Sequence, residues 1–182
     1  MADEYLITVV REVMQARQDV AYQRTRGRYE ASFAGKPTGL AGAIVERQGP
    51  GDNTKTGVTQ HRRIAAGRYP LFTHAGDNGK YKTIGYATTG LASSLPRPAI
   101  GVGDTDAREG ILIHCAAGFL MSIGCFNPSG PLADGNANLT WADSRSRVVA
   151  LIEDMRQRLV AAFPTQNNVR IPNTWLVIQG EP

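Results

Sequence analysis

The chain has 182 residues, of which 42% are hydrophobic and 20% charged, with a formal net charge of +4 at pH 7. This composition is ordinary for a globular domain, and two cysteines in this length do not make a disulfide framework. No apolar run approaches the roughly 20 residues of a membrane-spanning helix. We therefore expect no membrane span. A positive charge of this size attracts polyanions only weakly, so we also expect no nucleic-acid partner.

The first segment, "MADEYLITVVREV", carries acids where a secretory signal needs a basic end, and it lacks a sustained apolar core. We therefore expect a protein made in the cytoplasm without an export signal. The β-branched residues of "YLITVVREV" predict the first strand.

Three arginines lie between two tyrosines in the next stretch, "YQRTRGRYE", at residues 22–30. Arginines interleaved with aromatic residues suit phosphates and stacked bases. Because the chain has no second basic cluster, the stretch is better interpreted as the solvated face of a hairpin or strand.

Short apolar runs separated by glycine, proline, asparagine and aspartate fill the following part of the chain. Strands are predicted in "LAGAIVER", "HRRIAAGRYPLFTH", "KYKTIGYAT", "PRPAIGVGD" and "REGILIHC", and "GPGDNTKTG" predicts a mobile loop. The pattern indicates a mainly β fold in a single domain, residues 1–182, with no internal repeat or linker.

One long helix is predicted near the carboxyl end. Starting at Asp143 or Ser144, apolar residues recur at helical spacing, with Asp143 as the expected cap and Pro164 as the expected end. The apolar positions are Val148, Leu151, Ile152, Met155, Leu159 and Ala162. A final strand centred on "TWLVIQ" follows, which completes a β-rich α+β domain.

Residues 111–127, "ILIHCAAGFLMSIGCFN", hold the candidate chemistry. The thiolate of Cys125 is a nucleophile, and His114 can take its proton if the return of the chain after the strand brings the two together. Gly124 permits a tight turn, so the N–H groups of Gly124 and Cys125 are expected to stabilise an oxyanion. Ser122 adds a nearby hydroxyl.

The close order of histidine and cysteine, together with "SIGCFN", resembles the catalytic motif of the L,D-transpeptidase family. In that family a histidine leads into a loop that ends Ser/Thr-His-Gly-Cys. The resemblance extends through "AIVERQGPGDNTKTGVTQHRRIAAGRYPLFTH" and "REGILIHCAAGFLMSIGCFNPSG" to the helix and the last strand. This order is similar to that of a small subgroup of the superfamily, with an E-R segment, an I-P-A-G-x-Y segment, I-x-I-H and G-C.

The resemblance implies a β-rich domain that modifies the stem peptide of bacterial peptidoglycan through a cysteine acyl-enzyme, with no metal or organic cofactor. By motif position, Cys125 is the nucleophile and His114 the base. The backbone carbonyl of Cys115 is expected to orient the imidazole, and Ser122 and Gly124 match the motif.

The chain departs from the family pattern at two positions and in the length of one loop. Ile123 replaces the histidine before the glycine, and the loop from His114 to the cysteine is shorter. Asn127 stands where arginine often meets a substrate carboxylate, and is a weaker partner. His74 and Tyr81 either line the same cleft or belong to a surface loop before a strand.

Two other interpretations of these side chains stay open. A zinc site would use His114, Cys115 and Cys125 with His74 or His61, but neighbouring residues on a strand point to opposite faces, which makes joint ligation awkward. The same alternation places Cys115 in the core. A disulfide between Cys115 and Cys125 would abolish thiol chemistry.

The thioester would pass either to water, which gives a carboxypeptidase or endopeptidase, or to an amine, which gives a cross-link or an exchanged D-amino acid. Such an enzyme fits a toxin delivered by a secretion machine, with an immunity protein as partner, or a phage-encoded wall enzyme. Its expected site of action is the periplasm or cell wall. The alternative is an inactive module that binds peptidoglycan or a protein partner.

Overall fold

The computed structural model of the protein describes residues 3–76 and 78–182. Its strands are β1 (Tyr5–Gln15), β2 (Arg24–Phe33), β3 (Lys36–Arg47), β4 (Gly67–Phe72), β5 (Tyr81–Lys82), β6 (Arg97–Val102), β7 (Leu112–His114), β8 (Asn127–Ser129) and β9 (Arg170–Gln179). Its helices are α1 (Lys55–Thr59) and α2 (Trp141–Leu159), and a short 3-10 turn covers Val160–Ala162.

The strands form one sheet in the order β5-β6-β4-β9-β1-β2-β3-β8, and β7 pairs with β6. The pairs β1–β9 and β5–β6 are parallel, whereas the others in this path are antiparallel. The predicted mainly β fold, with one long late helix and a final strand, is confirmed.

The main core lies between the sheet and α2. Strand β1 shows the period of two that buries one face, with Tyr5, Ile7 and Val9 fully buried. Helix α2 buries Val148, Leu151, Ile152 and Met155. These four, the first of the predicted apolar positions, therefore form the inward face of the helix. No helix among the described residues is both long and apolar enough to cross a membrane.

Helix α2 begins earlier than predicted. Thr140, and not Asp143, is the cap, because its side chain accepts the backbone N–H of Asp143. The carboxylate of Asp143 instead accepts the N–H of Gly130, which ties the start of the helix to the end of β8. The α-helix ends at Leu159 and the 3-10 turn follows, before Pro164 is reached.

Two loop predictions are also corrected. The stretch "GPGDNTKTG" contains the start of α1, because the Asp52 carboxylate accepts the N–H of Thr54 at 2.8 Å and Thr54 caps the helix. The stretch "KYKTIGYAT" contributes only Tyr81–Lys82 to the sheet. Farther along it, Ile84 packs against the core from a loop.

The arginine-rich segment serves the interior as well as the surface. Arg24 is fully buried, and its guanidinium lies 4.2 Å from the ring centroid of Phe119. It donates to the carbonyl oxygens of Phe119 at 2.8 Å and Ala137 at 2.7 Å. Arg24 therefore fixes the loop that leads from His114 to Cys125, and the solvated-face interpretation is wrong for this residue.

Candidate active site

The segment at residues 125–127 returns alongside β7. The N–H of Phe126 donates to the carbonyl of Leu112 at 2.8 Å, and the N–H of His114 donates to the carbonyl of Phe126 at 2.9 Å. These two bonds define a parallel bridge between Ile113 and Phe126. The register of the whole site follows from this short pairing.

Alternation along the two segments then decides which side chains meet. Ile113 and Phe126 are both fully buried in the main core. Their neighbours His114, Cys125 and Asn127 consequently share the opposite face. The predicted nucleophile and base are therefore brought to the same side of the sheet by residues that are themselves core side chains.

His114 is only 5% exposed, and its ring is fixed by a neighbouring carbonyl. Its Nδ1 lies 2.9 Å from the carbonyl oxygen of Cys115, which is the contact expected from the motif. A carbonyl only accepts, so Nδ1 carries the proton and Nε2 has the free lone pair. Burial lowers the pKa of His114 to about 4, so the imidazole is neutral at neutral pH.

Cys125 has a free, partly exposed thiol. Its Sγ accepts the backbone N–H of Leu112 at 3.3 Å and lies 3.5 Å from the carbonyl of Gly110, to which the S–H can donate. Burial raises the pKa of the Cys125 thiol, although the Leu112 N–H and the Arg108 charge oppose that rise. Within the described residues, no hydrogen bond joins His114 to Cys125.

The turn before the cysteine is fixed by Ser122. Its hydroxyl donates to the carbonyl of Cys125 at 2.8 Å and accepts the N–H of Gly124 at 2.9 Å. Of the two predicted oxyanion donors, the Gly124 N–H is not free, because it already donates to the Ser122 hydroxyl. The Cys125 N–H has no acceptor among the described residues and is the donor that remains.

Gly124 is required at this turn for two physical reasons. Its φ of 141° is a conformation that only glycine adopts readily. A Cβ atom at this position would also collide with the guanidinium of Arg108. Gly124 thus permits the guanidinium of Arg108 to approach the backbone next to Cys125, the predicted nucleophile.

Arg108 is a site residue that sequence reasoning missed. It is 4% exposed and donates to three backbone carbonyls, those of Ile123 at 3.0 Å, Asp52 at 3.1 Å and Arg63 at 3.4 Å. It therefore connects the nucleophile turn to the loop before α1. Nothing in the spacing of "DAREGILIH" marks this arginine, because its partners are distant in sequence.

A cleft of about 310 Å³ opens beside the thiol. It is lined by Val58, Ala107, Arg108, Glu109, Gly110, Ile111, Ile123 and Cys125. Val58 and Ile123 are 42% and 62% exposed, so both present apolar surface at this cleft. Ile123 therefore forms part of an apolar rim around the Cys125 thiol, the predicted nucleophile.

Tyr81 and His74 lie on the other side of the site, near His114. The ring centroids of Tyr81 and His114 are 4.8 Å apart. His74 is held by its backbone, whose N–H donates to Thr83 Oγ1 at 2.8 Å, and burial lowers the pKa of its imidazole. After burial, the charges of Arg97 and His74 also lower the pKa of His114, so both lie within its electrostatic reach.

Asn127 does not occupy the predicted position. Its side chain is fully buried, and its Nδ2 donates to the backbone carbonyl of His114 at 3.2 Å. The same Nδ2 lies 3.5 Å from both ring nitrogens of His114. The expected contact with a substrate carboxylate is wrong for this geometry, because Asn127 packs behind the histidine.

The two alternative chemistries find no support in the described residues. Both cysteines are free, and Cys115 is fully buried in the main core while Cys125 lies on the opposite face. Within residues 3–76 and 78–182, no group of three or more His, Cys, Asp or Glu side chains is placed to hold a metal ion.

Comparisons of the chain with protein-family models, curated proteins and solved structures find no match. Any reaction assigned to the protein therefore depends on the chemistry of the cleft around Cys125 and on the motif that surrounds it.

Proposed function

We propose that the protein is a cysteine-dependent enzyme of L,D-transpeptidase type that acts on peptidoglycan stem peptides through a thioester. The observation that carries the proposal is the shared face of Cys125 and His114. A free, partly exposed thiol lies on the same side of the sheet as an imidazole whose Nδ1 is bound by the Cys115 carbonyl. The basic Nε2 is thereby left available.

In the first half-reaction, Sγ of Cys125 forms a bond to the substrate carbonyl carbon while the thiol proton passes to Nε2 of His114. The Cys125 N–H stabilises the oxyanion. As the intermediate collapses, the carbon–nitrogen bond breaks, and the imidazolium returns its proton to the leaving amine. Water or an amine then attacks the thioester, loses a proton to Nε2 and regenerates the thiol.

The two pKa shifts define how the pair starts this reaction. Burial lowers the pKa of His114 and raises the pKa of Cys125, so the resting groups are both neutral. Proton transfer therefore accompanies attack on the carbonyl, as general base catalysis requires. Hydrogen bonds between catalytic groups are often long in the free enzyme and tighten when substrate binds.

The direct test is mass spectrometry of purified disaccharide-peptides after incubation with the protein. Loss of a terminal D-Ala supports hydrolysis, a dimer supports cross-linking, and no change contradicts both. Cys125→Ala should abolish turnover with the circular dichroism spectrum unchanged. Cys115→Ala is the matched control: it removes the other thiol from the opposite face and should retain turnover. Turnover by Cys125→Ala would show that another group is the nucleophile.

Peptidoglycan lies outside the cytoplasm, so the proposal also predicts where the activity is harmful. Expression in the bacterial cytoplasm should be harmless, whereas fusion to an export signal should impair growth or cell shape. The exported Cys125→Ala variant should lose this effect. Toxicity confined to the cytoplasm would contradict a peptidoglycan substrate and point to a cytosolic target.

The second candidate is a module that binds peptidoglycan or a protein partner without cleaving it. It is favoured by the missing hydrogen bond between His114 and Cys125 and by the raised pKa of the thiol. In that case the wild type and Cys125→Ala would bind isolated peptidoglycan equally, and neither would change the mass of any disaccharide-peptide.

A further inference from the structure

Arg97 stands on the same face as His114 at the first position of β6. Two residues later, Ala99 pairs with His114 in the antiparallel β6–β7 register. Because side chains two apart on a strand point the same way, Arg97 extends from the face that carries the imidazole. Tyr81, its parallel partner on β5, lies between Arg97 and the ring of His114.

The guanidinium of Arg97 is held in place but not neutralised. It stacks 4.4 Å from the ring centroid of Trp141 and donates to the hydroxyl of Tyr81 at 3.4 Å and to the carbonyl of Ser93 at 3.3 Å. Among the described residues it forms no salt bridge with any acid. Stacking on an indole pre-orients the planar fork that binds carboxylates in a bidentate manner.

We propose that Arg97 is a specificity residue that binds the free carboxylate of the amino acid on the leaving side of the scissile bond. The inference rests on the proposed function, in which His114 returns a proton to the leaving amine. In that reaction the groups beyond His114 face the leaving amino acid, and Arg97 is a cation among them. An amino acid with a free carboxylate is a terminal residue, so the site selects removal or exchange of terminal D-amino acids over cleavage within a cross-link.

The arrangement also connects substrate binding to the base. Burial is the largest cause of the lowered pKa of His114, and the charge of Arg97 adds to it. A bound carboxylate would offset that charge and make Nε2 more basic when the correct substrate is present. Recognition and activation would then depend on the same guanidinium.

The test compares a stem tetrapeptide that ends in D-Ala with the same peptide as its C-terminal amide. The wild type should prefer the free acid in kcat/KM by about 10- to 100-fold, the value of a hydrogen-bonded pair to a charged group. Arg97→Gln should bring the ratio of acid to amide close to one, and Arg97→Lys should keep an intermediate ratio. Arg68→Gln, which removes a guanidinium stacked 4.4 Å from Trp175, should keep the full preference. An unchanged ratio in Arg97→Gln would overturn the inference.

A binding measurement separates this inference from the proposed reaction. The chain has two tryptophans, so a Cys125→Ala, Trp175→Phe background leaves Trp141 as the fluorescent reporter beside Arg97. The free acid should change its emission at lower concentration than the amide, and Arg97→Gln should remove the difference. This result without turnover by the wild type would retain the subsite and reject the reaction. Turnover without any preference for the free acid would retain the reaction and reject the subsite. A protein that showed no binding and no turnover would contradict both proposals.

Discussion

Asn127 substitutes for a backbone donor that the chain lacks. In the parallel pairing of 112–114 with 126–128, the hydrogen bonds run from Phe126 to Leu112 and from His114 to Phe126. The next bond of the ladder would run from the N–H of residue 128 to the carbonyl of His114. Residue 128 is Pro128, which has no N–H, and the side-chain Nδ2 of Asn127 donates to that carbonyl at 3.2 Å.

The magnitude of an Asn127→Ala substitution follows from this replacement. The side chain is fully buried, so its loss leaves the carbonyl of His114 without a donor, at a cost of about 1–3 kcal/mol. A residual cavity adds to this cost, whereas removal of the buried Asn127 Oδ1, which has no hydrogen-bond partner among the described residues, offsets part of it. The free energy of unfolding should therefore fall by roughly 1–3 kcal/mol. Displacement of the imidazole should also lower kcat, by up to about 10²-fold for a shift of an ångström.

The decisive measurement is a double-mutant cycle in urea at neutral pH. Pro128→Ala restores an N–H at residue 128, so in the Asn127→Ala background it should recover stability by about 1 kcal/mol relative to its effect in the wild type. The effect of proline on the unfolded chain is the same in both backgrounds and cancels in the cycle. Strictly additive single effects would refute the idea that Asn127 stands in for the missing donor.

The remaining predictions concern the pair and the turn that holds it. Because the pKa of His114 is about 4 when folded and 6.5 ordinarily, its stabilising contribution is present above the ordinary pKa and is lost as pH falls through the folded pKa. Wild type should therefore lose about 3 kcal/mol more than His114→Gln between neutral pH and pH 4 in urea titrations, and equal losses would contradict the burial argument. The acid limb of kcat/KM should likewise lie near pH 4 in the wild type, and a midpoint near 6.5 would contradict the lowered pKa of His114. Arg108→Gln should raise the pKa of the Cys125 thiol, seen as an alkaline shift in the pH profile of iodoacetamide alkylation, and Arg108→Lys should restore part of it. Gly124→Ala should cost at least about 2 kcal/mol in unfolding free energy, and a neutral effect would show that the turn has another conformation.

The regular parts of the fold were predictable because their signals are local. The β-branched period of two in β1 and the helical spacing in α2 are read within one element. The errors fall where distant contacts decide the structure. Ile84 lies in a stretch with strand composition, but its N–H bonds to the side chain of Asn167 at 3.0 Å, and the chain leaves the sheet there.

The candidate site divides in the same way. The close order of His114 and Cys125 is a feature of one short segment, and the contact of the Cys115 carbonyl with the imidazole was expected only from the family resemblance of that segment. The roles of Arg97 and Arg108 were not, because each is defined by partners on other elements. The sequence places each arginine at the start of a predicted strand, and only the folded chain shows which groups each guanidinium contacts.

The buried charges of the "E-R" segment are continuous with the nucleophile turn. Glu46 is paired with Arg11 at 2.8 Å, and Arg11 also binds Glu181 at 2.6 Å. Glu181 in turn pairs with Arg63 at 2.8 Å, and the backbone carbonyl of Arg63 accepts a hydrogen bond from Arg108. Apolar residues in place of a buried ion pair often give a protein of equal stability. We therefore attribute to these pairs a role in fixing side-chain positions, and not a large contribution to the free energy of unfolding. A chain of fixed guanidinium groups therefore runs from Glu46, far from the cleft, to Arg108, which holds the turn before the Cys125 thiol.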